Sequence, residues 1–559
     1  MQAQHQPPVA DHRRPVLLPV LVLAVDVPVE PDQLLHRLVV RLPGDRRQLG
    51  GALRDRVRPA VRGGHVVRRA GVAPQVAGLR PVVGEGDADD PLVGVIGVHD
   101  VGQLGPSVAF DRDEHSAVPL GEQCEQCVLF CVLGHASING PHRAGVPRRC
   151  AMAVLRQEAD PGEAGLDPDA LERLDRELAR RVDGGEMPGF LVALAREGRV
   201  AHLTAYGARD LAAGLPVESD TLWRIYSMTK PVTTVGALML VEDGLLSLDD
   251  EVGRHLPAFA EPRVYVDGSG DQVRTRPADG PLLVRHLMTH TAGLTFAFYH
   301  AHPVDALYRA AGLDSSVAPG TDLAGTTDVY ASLPLRFDPG THWNYSVATN
   351  VLGRIIEVVS GLPLDTYLAE RVFRPLGMRD AGFEVTDAQA ERLAELYGAT
   401  DDGGIEPIAG LPLRGRPRFL SGSGGMVASA HDMHRFMELL RRRGELDGTR
   451  LLRPETVALM TRNHLPGGAD LRTAGVPPHD DPGNEGVGFG LGVSVVVDPS
   501  RTREPSGLGA YGWSGVATTT FWVDPGRDLT VQFYTQVRPR SSHAVYRDLK
   551  RLVHEALAD

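Results

Sequence analysis

Ser227 and Lys230 are the residues of this 559-residue chain whose types and spacing most directly suggest chemistry. At the first turn of a helix, residues three positions apart lie on one face, so the lysine amine can reach the serine hydroxyl. A serine hydroxyl becomes a nucleophile only when its proton is taken, and a lysine can help only if burial lowers its pKa. The pair therefore predicts a nucleophilic serine, Ser227, with Lys230 as its activating partner.

The flanking residues predict the elements that must position this pair. Apolar residues precede it, and the segment from Val232 to Val241 has the apolar pattern of a helix. The Ser-x-x-Lys motif is short, and a surface serine beside a surface lysine is the alternative. The chain contains only two lysines, Lys230 and Lys550, so a chance match is less common here than in most sequences.

Three further segments carry candidate residues. Tyr345 opens a predicted helix; taken alone it indicates a core tyrosine, but near a Ser–Lys pair it could act as a base or proton shuttle. His290 is interpreted as a structural, hydrogen-bonded histidine. The glycine-rich stretch from Ser421 to Val427 lacks the lysine and spacing of a phosphate-binding loop and predicts tight backbone packing before a helix.

Length, charge and hydropathy exclude several classes of protein. The length suggests more than one domain, or one domain with long additions. A net charge of −13 argues against a nucleic-acid partner. The sequence contains no run of 18 apolar residues, so no transmembrane helix is expected. The apolar stretch from Pro15 to Val25 follows two arginines, but it contains prolines and lacks a cleavage site, so a cytoplasmic location is expected over secretion. The oligomeric state stays open.

The first 151 residues differ in composition from the rest of the chain. They contain two aromatic residues, Phe110 and Phe130, and therefore little from which to build a packed core. We expect residues 1–151 to be a disordered or wrongly annotated extension. The folded domain is expected to span residues 152–559, beginning at Met152.

All four cysteines lie in this N-terminal stretch. Cys124, Cys127 and Cys131, followed by His135, have the look of a metal knuckle, whereas Cys150 stands apart. Free thiols in a reducing compartment are the preferred interpretation. No metal and no cofactor is expected.

The order of the predicted elements favours an α+β fold. A helix beginning at Pro168 precedes a strand hairpin, a mostly helical region spans about 240–440, and strands and a final helix close the chain. Residues 295–335 are interpreted as an inserted loop or lid. The later predicted elements are a strand Gly488–Val497, a strand Tyr511–Gly515 continued by Thr518–Val523, a strand Leu529–Thr535 and a helix Ala544–Leu557.

Several motifs now match a known family in order and context. Ser227-Met228-Thr229-Lys230 matches its Ser-x-x-Lys, Tyr345-Ser346-Val347 matches its Tyr-x-Asn at the tyrosine, and Trp513-Ser514-Gly515 takes the place of its Lys/His-Thr/Ser-Gly strand. From about residue 165 onward, the chain resembles the serine β-lactamase and penicillin-binding-protein superfamily. Within it, the chain looks most like the class C β-lactamase-related esterases, or family VIII carboxylesterases.

This resemblance implies an antiparallel sheet flanked by N- and C-terminal helices, with an inserted helical subdomain and the site between them. It implies that Ser227 is the nucleophile, that Lys230 lowers the barrier to its deprotonation, and that Tyr345 serves as base in acylation and passes the proton to the leaving group. Which of Lys230 and Tyr345 is the formal base stays open. The implied oxyanion hole uses the backbone N–H groups of Ser227 and Val516. Substrate contacts are implied for Trp513, Ser514 and Gly515.

Two departures from the family pattern point toward esters. Val347 replaces an amide, with Asn350 close by but out of register, and Trp513 replaces the cation that meets a substrate carboxylate in lactamases. The expected substrate is a small-molecule, short-chain ester. The alternatives are a β-lactamase or D-amino-acid peptidase on the same fold, and a catalytically silent scaffold.

Overall fold

The computed structural model describes residues 80–82, 95–97, 154–410, 413–538 and 543–557. The chain divides into two units, Met1–Gly140 and Pro141–Asp559. In the first, strands β1 (Arg80–Val82) and β2 (Val95–Gly97) pair in antiparallel fashion. The cysteine cluster and the boundary expected at Met152 lie outside the described residues.

The second unit alternates strands with a long helical region. Its helices are α1 (Pro168–Asp183), α2 (Thr229–Glu242), α3 (Val252–His255), α4 (Val284–Met288), α5 (Pro303–Ala310), α6 (Leu323–Ser332), α7 (Ala348–Ser360), α8 (Leu364–Leu368), α9 (Arg374–Leu376), α10 (Asp387–Ala390), α11 (Ala430–Arg441), α12 (Pro454–Met460), α13 (Leu471–Ala474) and α14 (His543–Glu555). Its strands are β3 (Gly189–Arg196), β4 (Arg199–Asp210), β5 (Leu215–Pro216), β6 (Leu222–Arg224), β7 (Arg263–Asp267), β8 (Arg274–Pro277), β9 (Tyr397–Ala399), β10 (Ile405–Pro407), β11 (Val427–Ser429), β12 (Glu445–Leu446), β13 (Thr449–Arg450), β14 (Val487–Phe489), β15 (Ser494–Val496), β16 (Tyr511–Gly515), β17 (Thr519–Asp524), β18 (Leu529–Tyr534) and β19 (Val537–Arg538).

An eight-stranded antiparallel sheet forms the frame, in the order β14-β15-β16-β17-β18-β3-β4-β5. Successive side chains of a strand point to opposite faces, and β3 uses both. Phe190 and Val192 pack on the face covered by α1 and α14, whereas Leu191 and Ala193 join the main core with α2 on the other face. The predicted α+β fold, with terminal helices flanking an antiparallel sheet, is confirmed.

Helix α1 begins where the sequence predicts. The Asp167 carboxylate accepts a hydrogen bond from the Asp169 backbone N–H at 2.9 Å, and Pro168 occupies the first helical position. Both features favour helix initiation, because an early backbone donor finds a partner and the proline has no N–H to leave unpaired. The apolar face, including Leu171 and Leu174, is buried against the sheet.

Helix α2 is buried on all sides. Every residue from Thr229 to Leu240 is buried, which fits a sequence that is apolar all round rather than along one stripe. Its N-terminal end follows directly on the turn that carries Ser227, so the sheet, the helical region and the site meet at this helix.

Three sequence predictions of detail are wrong. The strand predicted at Gly488–Val497 is a hairpin of β14 and β15, reversed at Gly492, whose φ of 76° suits glycine. The strand predicted from Tyr511 through Val523 is two antiparallel strands, β16 and β17. For residues 295–335, predicted to be an inserted loop or lid, the loop alternative is wrong because the segment contains α5 and α6. The reversals break continuous apolar segments that look like one strand in the sequence.

Candidate active site

Ser227 lies in a one-turn 3-10 helix, Tyr226–Met228, between β6 and α2. Strand β6 is fixed by pairing with β11. Tyr226 has a φ of 44°, an uncommon value for a residue with a side chain, and such outliers cluster at functional sites. Strand β16 passes close to this turn: a Cβ at Gly515 would lie 2.5 Å from the Ile225 carbonyl oxygen, so only glycine fits there.

The Lys230 amine reaches the serine, as the i, i+3 spacing predicts. Nζ donates to Ser227 Oγ at 3.1 Å and to the Ser423 carbonyl oxygen at 2.8 Å. The side chain is 1% exposed, and this burial lowers the pKa of Lys230 well below its ordinary value. A buried amine of this kind can be neutral and able to accept a proton.

Tyr345 completes the cluster from a distant part of the chain. Lys230 Nζ lies 4.5 Å from the centroid of the Tyr345 ring. Burial raises the pKa of Tyr345 to about 12, although hydrogen bonds with Ser227 and Trp513 act in the opposite direction. At neutral pH Tyr345 therefore carries its proton, which it can pass on as a general acid.

The glycine-rich stretch Ser421–Val427 forms the wall beside Lys230. It packs tightly, as predicted: a Cβ at Gly422 would lie 2.8 Å from the Thr349 carbonyl oxygen, and Thr233 Oγ1 donates to the Gly422 carbonyl oxygen at 2.9 Å. The sequence analysis missed the contact of its Ser423 carbonyl with Lys230. The signal available in the sequence was the run of glycines itself, because glycines allow a backbone to approach a buried helix closely.

The Trp513-Ser514-Gly515 segment lies on β16, at the edge of this cluster. Trp513 Nε1 donates to the Tyr345 hydroxyl at 3.3 Å, with the two ring centroids 5.3 Å apart. Ser514 Oγ donates to Thr520 Oγ1 at 2.9 Å, across to β17. Val516, in the turn that follows, is 49% exposed.

An aromatic cluster that the sequence analysis did not identify covers the other side of Tyr345. The Phe296 ring centroid lies 5.5 Å from that of Tyr345, and Lys230 Nζ is 5.9 Å from the same phenylalanine ring. Phe298 stacks on Phe296 at 4.8 Å and remains 56% exposed. The cluster thus presents an apolar surface beside Lys230.

His290 packs against Tyr345 as a neutral residue. Its ring lies edge-on to Tyr345 at 4.8 Å, and its Nδ1 is 3.2 Å from Ser346 Oγ. Burial, followed by the nearby Lys230, holds the pKa of His290 well below its usual range. These contacts agree with the predicted structural role.

Val347, which stands where the family has an amide, is buried at the N-terminal end of α7. Asn350 turns instead toward the glycine-rich stretch, where its Oδ1 accepts hydrogen bonds from the Ser423 N–H at 2.9 Å and from Ser421 Oγ at 3.0 Å. Asn350 thus bonds to the glycine-rich stretch and not directly to Lys230 or Ser227.

Within the described ranges, no group of three or more His, Cys, Asp or Glu side chains is arranged to hold a metal ion. In the same part of the chain, no helix has both the length and the apolar character needed to cross a membrane.

An antiparallel sheet, a buried Ser–Lys pair at a helix start and a tyrosine above it define a serine hydrolase of the β-lactamase fold. The β-lactamase family model matches residues 174–555, and the chain belongs to this family. Esterase EstB of Burkholderia gladioli is 33% identical over 406 residues, which cover 66% of this chain and 94% of EstB.

Two solved structures are similar over most of the chain. One is EstCE1, described as a hydrolase with promiscuous acyltransferase activity, with 28% identity and a TM-score of 0.58; the match covers 70% of this chain and 99% of EstCE1. The other is simvastatin synthase (LovD) from Aspergillus terreus, with 25% identity and a TM-score of 0.60, covering 70% and 98% of the two chains.

Proposed function

We propose that this protein hydrolyses short-chain, uncharged carboxylic esters through an acyl-enzyme on Ser227. The observation that carries the proposal is the buried Lys230 amine, 3.1 Å from Ser227 Oγ. Activation of a serine requires a base within hydrogen-bond distance, and a lysine whose pKa is lowered by burial meets that condition.

In the proposed acylation, neutral Lys230 takes the proton of Ser227 as Oγ attacks the ester carbonyl carbon. Tyr345 is the weaker candidate for the base, because a pKa of about 12 leaves little phenolate at neutral pH. Tyr345 instead protonates the departing alkoxide and is reprotonated from Lys230, so the ester C–O bond breaks and the alcohol leaves. Water then attacks the acyl-enzyme, with the proton transfers reversed.

Negative charge that develops on the carbonyl oxygen needs fixed donors. We assign this role to the backbone N–H groups of Ser227 and Val516, at the turn before α2 and the turn after β16. Gly515 allows β16 to approach the Ile225 backbone, which supports this assignment. A preorganised donor of this kind commonly contributes about 3 kcal/mol to transition-state stabilisation.

The surfaces around Ser227 favour an uncharged substrate. Trp513 offers an indole in place of a cation, and its N–H already donates to Tyr345. Phe298 and Val516 add exposed apolar surface on two other segments. A carboxylate brought to such a surface loses hydration without gaining an ion pair, which is costly, whereas an acyl or alkyl group gains from the contact.

The named relatives support ester chemistry over lactam chemistry. EstB is named an esterase, and EstCE1 is described as a hydrolase that also transfers acyl groups. Both descriptions fit an acyl-enzyme that an alcohol or water can resolve. We propose a small-molecule ester as the substrate partner.

A fluorophosphonate probe tests the nucleophile. The wild-type protein should become labelled at Ser227 and lose ester hydrolysis as it is labelled. Ser227→Ala should neither become labelled nor hydrolyse the ester. Ser514→Ala, a nearby serine with its hydroxyl directed to Thr520, is the matched control for labelling at Ser227. Labelling that persists in Ser227→Ala, or an unlabelled wild-type protein, would overturn the proposal.

A further inference from the structure

Asn350 is fully buried in the first turn of α7 and has no place in the proton transfers described above. Its Oδ1 accepts two hydrogen bonds from the glycine-rich stretch, from Ser421 Oγ and from the Ser423 N–H. Its Nδ2 donates to the Tyr330 hydroxyl at 3.3 Å, on α6. A buried amide with partners on both sides is strongly fixed, because losing any partner leaves a desolvated polar group.

Ser423 connects Asn350 to Lys230. Its N–H donates to Asn350 Oδ1 at 2.9 Å, and its carbonyl oxygen accepts from Lys230 Nζ at 2.8 Å. Two hydrogen bonds join α2 to other residues of the stretch. Thr233 Oγ1 donates to the Gly422 carbonyl oxygen, and the Met426 N–H donates to Thr229 Oγ1. Among the hydrogen bonds of the described residues, Asn350 is therefore the side chain other than Lys230 that bonds to the Ser423 backbone.

We propose that Asn350 is a positioning residue: it holds the Ser423 carbonyl against the Lys230 amine and so sets where that amine stands relative to Ser227. The effect on turnover rests on the proposed function, but the effect on Lys230 does not. Lys230 has a long side chain with four rotatable bonds, so one hydrogen bond to Ser227 alone does not define its position. The Ser423 carbonyl supplies a second fixed point.

The tyrosine and histidine that face Lys230 do not compete with this role. Tyr345 presents its ring to the amine and has a raised pKa of about 12, and burial keeps His290 neutral. Neither group changes charge near neutral pH. A change at Asn350 should therefore appear in the Lys230 signal without interference from either neighbour.

The lysine count of the chain makes the test direct. The full-length protein labelled with ε-¹³C-lysine should give two lysine signals, from Lys230 and Lys550. Asn350→Leu removes the amide with little change in size. Tyr367→Phe is the matched control, because the buried Tyr367 hydroxyl donates to the Gly236 carbonyl of α2 at 2.9 Å but does not bond to Ser423. Asn350→Asp keeps an acceptor and adds negative charge.

In Asn350→Leu, the Lys230 signal and its titration midpoint should move while Lys550 stays unchanged. The kcat for an ester should fall on the order of 10-fold to 100-fold, with KM within about twofold, since misplacement of a catalytic group by about 1 Å has effects of this size. Asn350→Asp should raise the midpoint of Lys230, because a nearby negative charge favours the ammonium form. Tyr367→Phe should leave the Lys230 signal and kcat as in the wild type.

The inference fails if Lys230 titrates as in the wild type in folded Asn350→Leu, or in Asn350→Asp should the leucine variant not fold. It also fails if Tyr367→Phe moves Lys230 and kcat equally, since general loosening of α2 would then explain both. A wild-type protein that hydrolyses no ester would defeat the proposed function alone, because the lysine signals still decide the role of Asn350.

Discussion

Trp513 Nε1 donates a hydrogen bond of 3.3 Å to the hydroxyl of Tyr345, across a gap of 168 residues in sequence. The indole thereby does two things at once. It orients the phenol above Lys230, and it occupies with a neutral aromatic ring the place where the lactamase pattern has a cation. We therefore expect the identity of this residue to affect both proton transfer and the choice of substrate.

Replacing Trp513 should change substrate preference. The wild-type protein should cleave a butyrate ester with a higher kcat/KM than a chromogenic cephalosporin. Trp513→Lys should lower the ester value and shift the ratio toward the cephalosporin, because an ammonium can pair with its carboxylate. Parallel kinetics with both substrates check this, with Trp513→Phe as the control that keeps a ring without adding charge. A wild-type preference for the cephalosporin would contradict the ester assignment.

Tyr345→Phe should reduce kcat by about 100-fold or more with a smaller change in KM, because it removes proton transfer while keeping the ring. Phe296, which packs on Tyr345 but carries no hydroxyl, offers a control: Phe296→Leu should have a milder effect on kcat. Steady-state kinetics of the wild type and both variants on one ester provide the comparison of kcat and KM. Near-normal turnover in Tyr345→Phe would reduce this residue to a packing role.

The pH dependence of hydrolysis should show an acid limb set by Lys230. Burial lowers the pKa of Lys230, and only the neutral amine can accept the Ser227 proton, so kcat should rise with pH through that lowered pKa and then level off. Tyr345, with a pKa of about 12, should impose no loss of activity near neutral pH. If kcat instead decreased as the pH increased from about 7 to about 9, that result would argue against this assignment of roles.

Lys230→Met should be inactive yet more stable than the wild type. In the wild type the folded state disfavours the ammonium form, so folding releases a proton and stability rises with pH from the folded pKa of Lys230 up to its ordinary value. Within that window, the free energy of unfolding increases by about 1.4 kcal/mol for each pH unit. The stability gain of the methionine variant, measured by urea unfolding, should therefore shrink as pH increases. A gain that does not depend on pH would contradict the linkage.

A chain that begins at Met152 should fold and keep its activity. The family match starts at residue 174, and the first 151 residues contain only two aromatics. Thermal unfolding and ester kinetics of the shortened and full-length chains should agree within error. Loss of most activity on truncation would show that the N-terminal residues belong to the functional protein.

The sequence by itself determined the local parts of the site. The i, i+3 spacing of Ser227 and Lys230 and the capping of α1 at Asp167 depend on contacts within a few residues, and each is found as expected. The α+β fold also follows from the order of apolar segments, since hairpins and helices form mostly between neighbours in the chain. The sequence did not predict the reversal between β16 and β17. Thr518 in that turn adopts a φ of 61°, and a threonine gives no indication of a positive φ.

Only the tertiary structure decided what surrounds the lysine. Ser423, Tyr345 and Phe296 come from separate segments and meet Lys230 only when α2 is enclosed, so no spacing in the sequence encodes their distances. The lowered pKa of Lys230 is likewise a property of the folded chain, because desolvation depends on every segment that excludes water from the amine. Sequence fixes which groups are present, whereas packing decides which of them share one buried space.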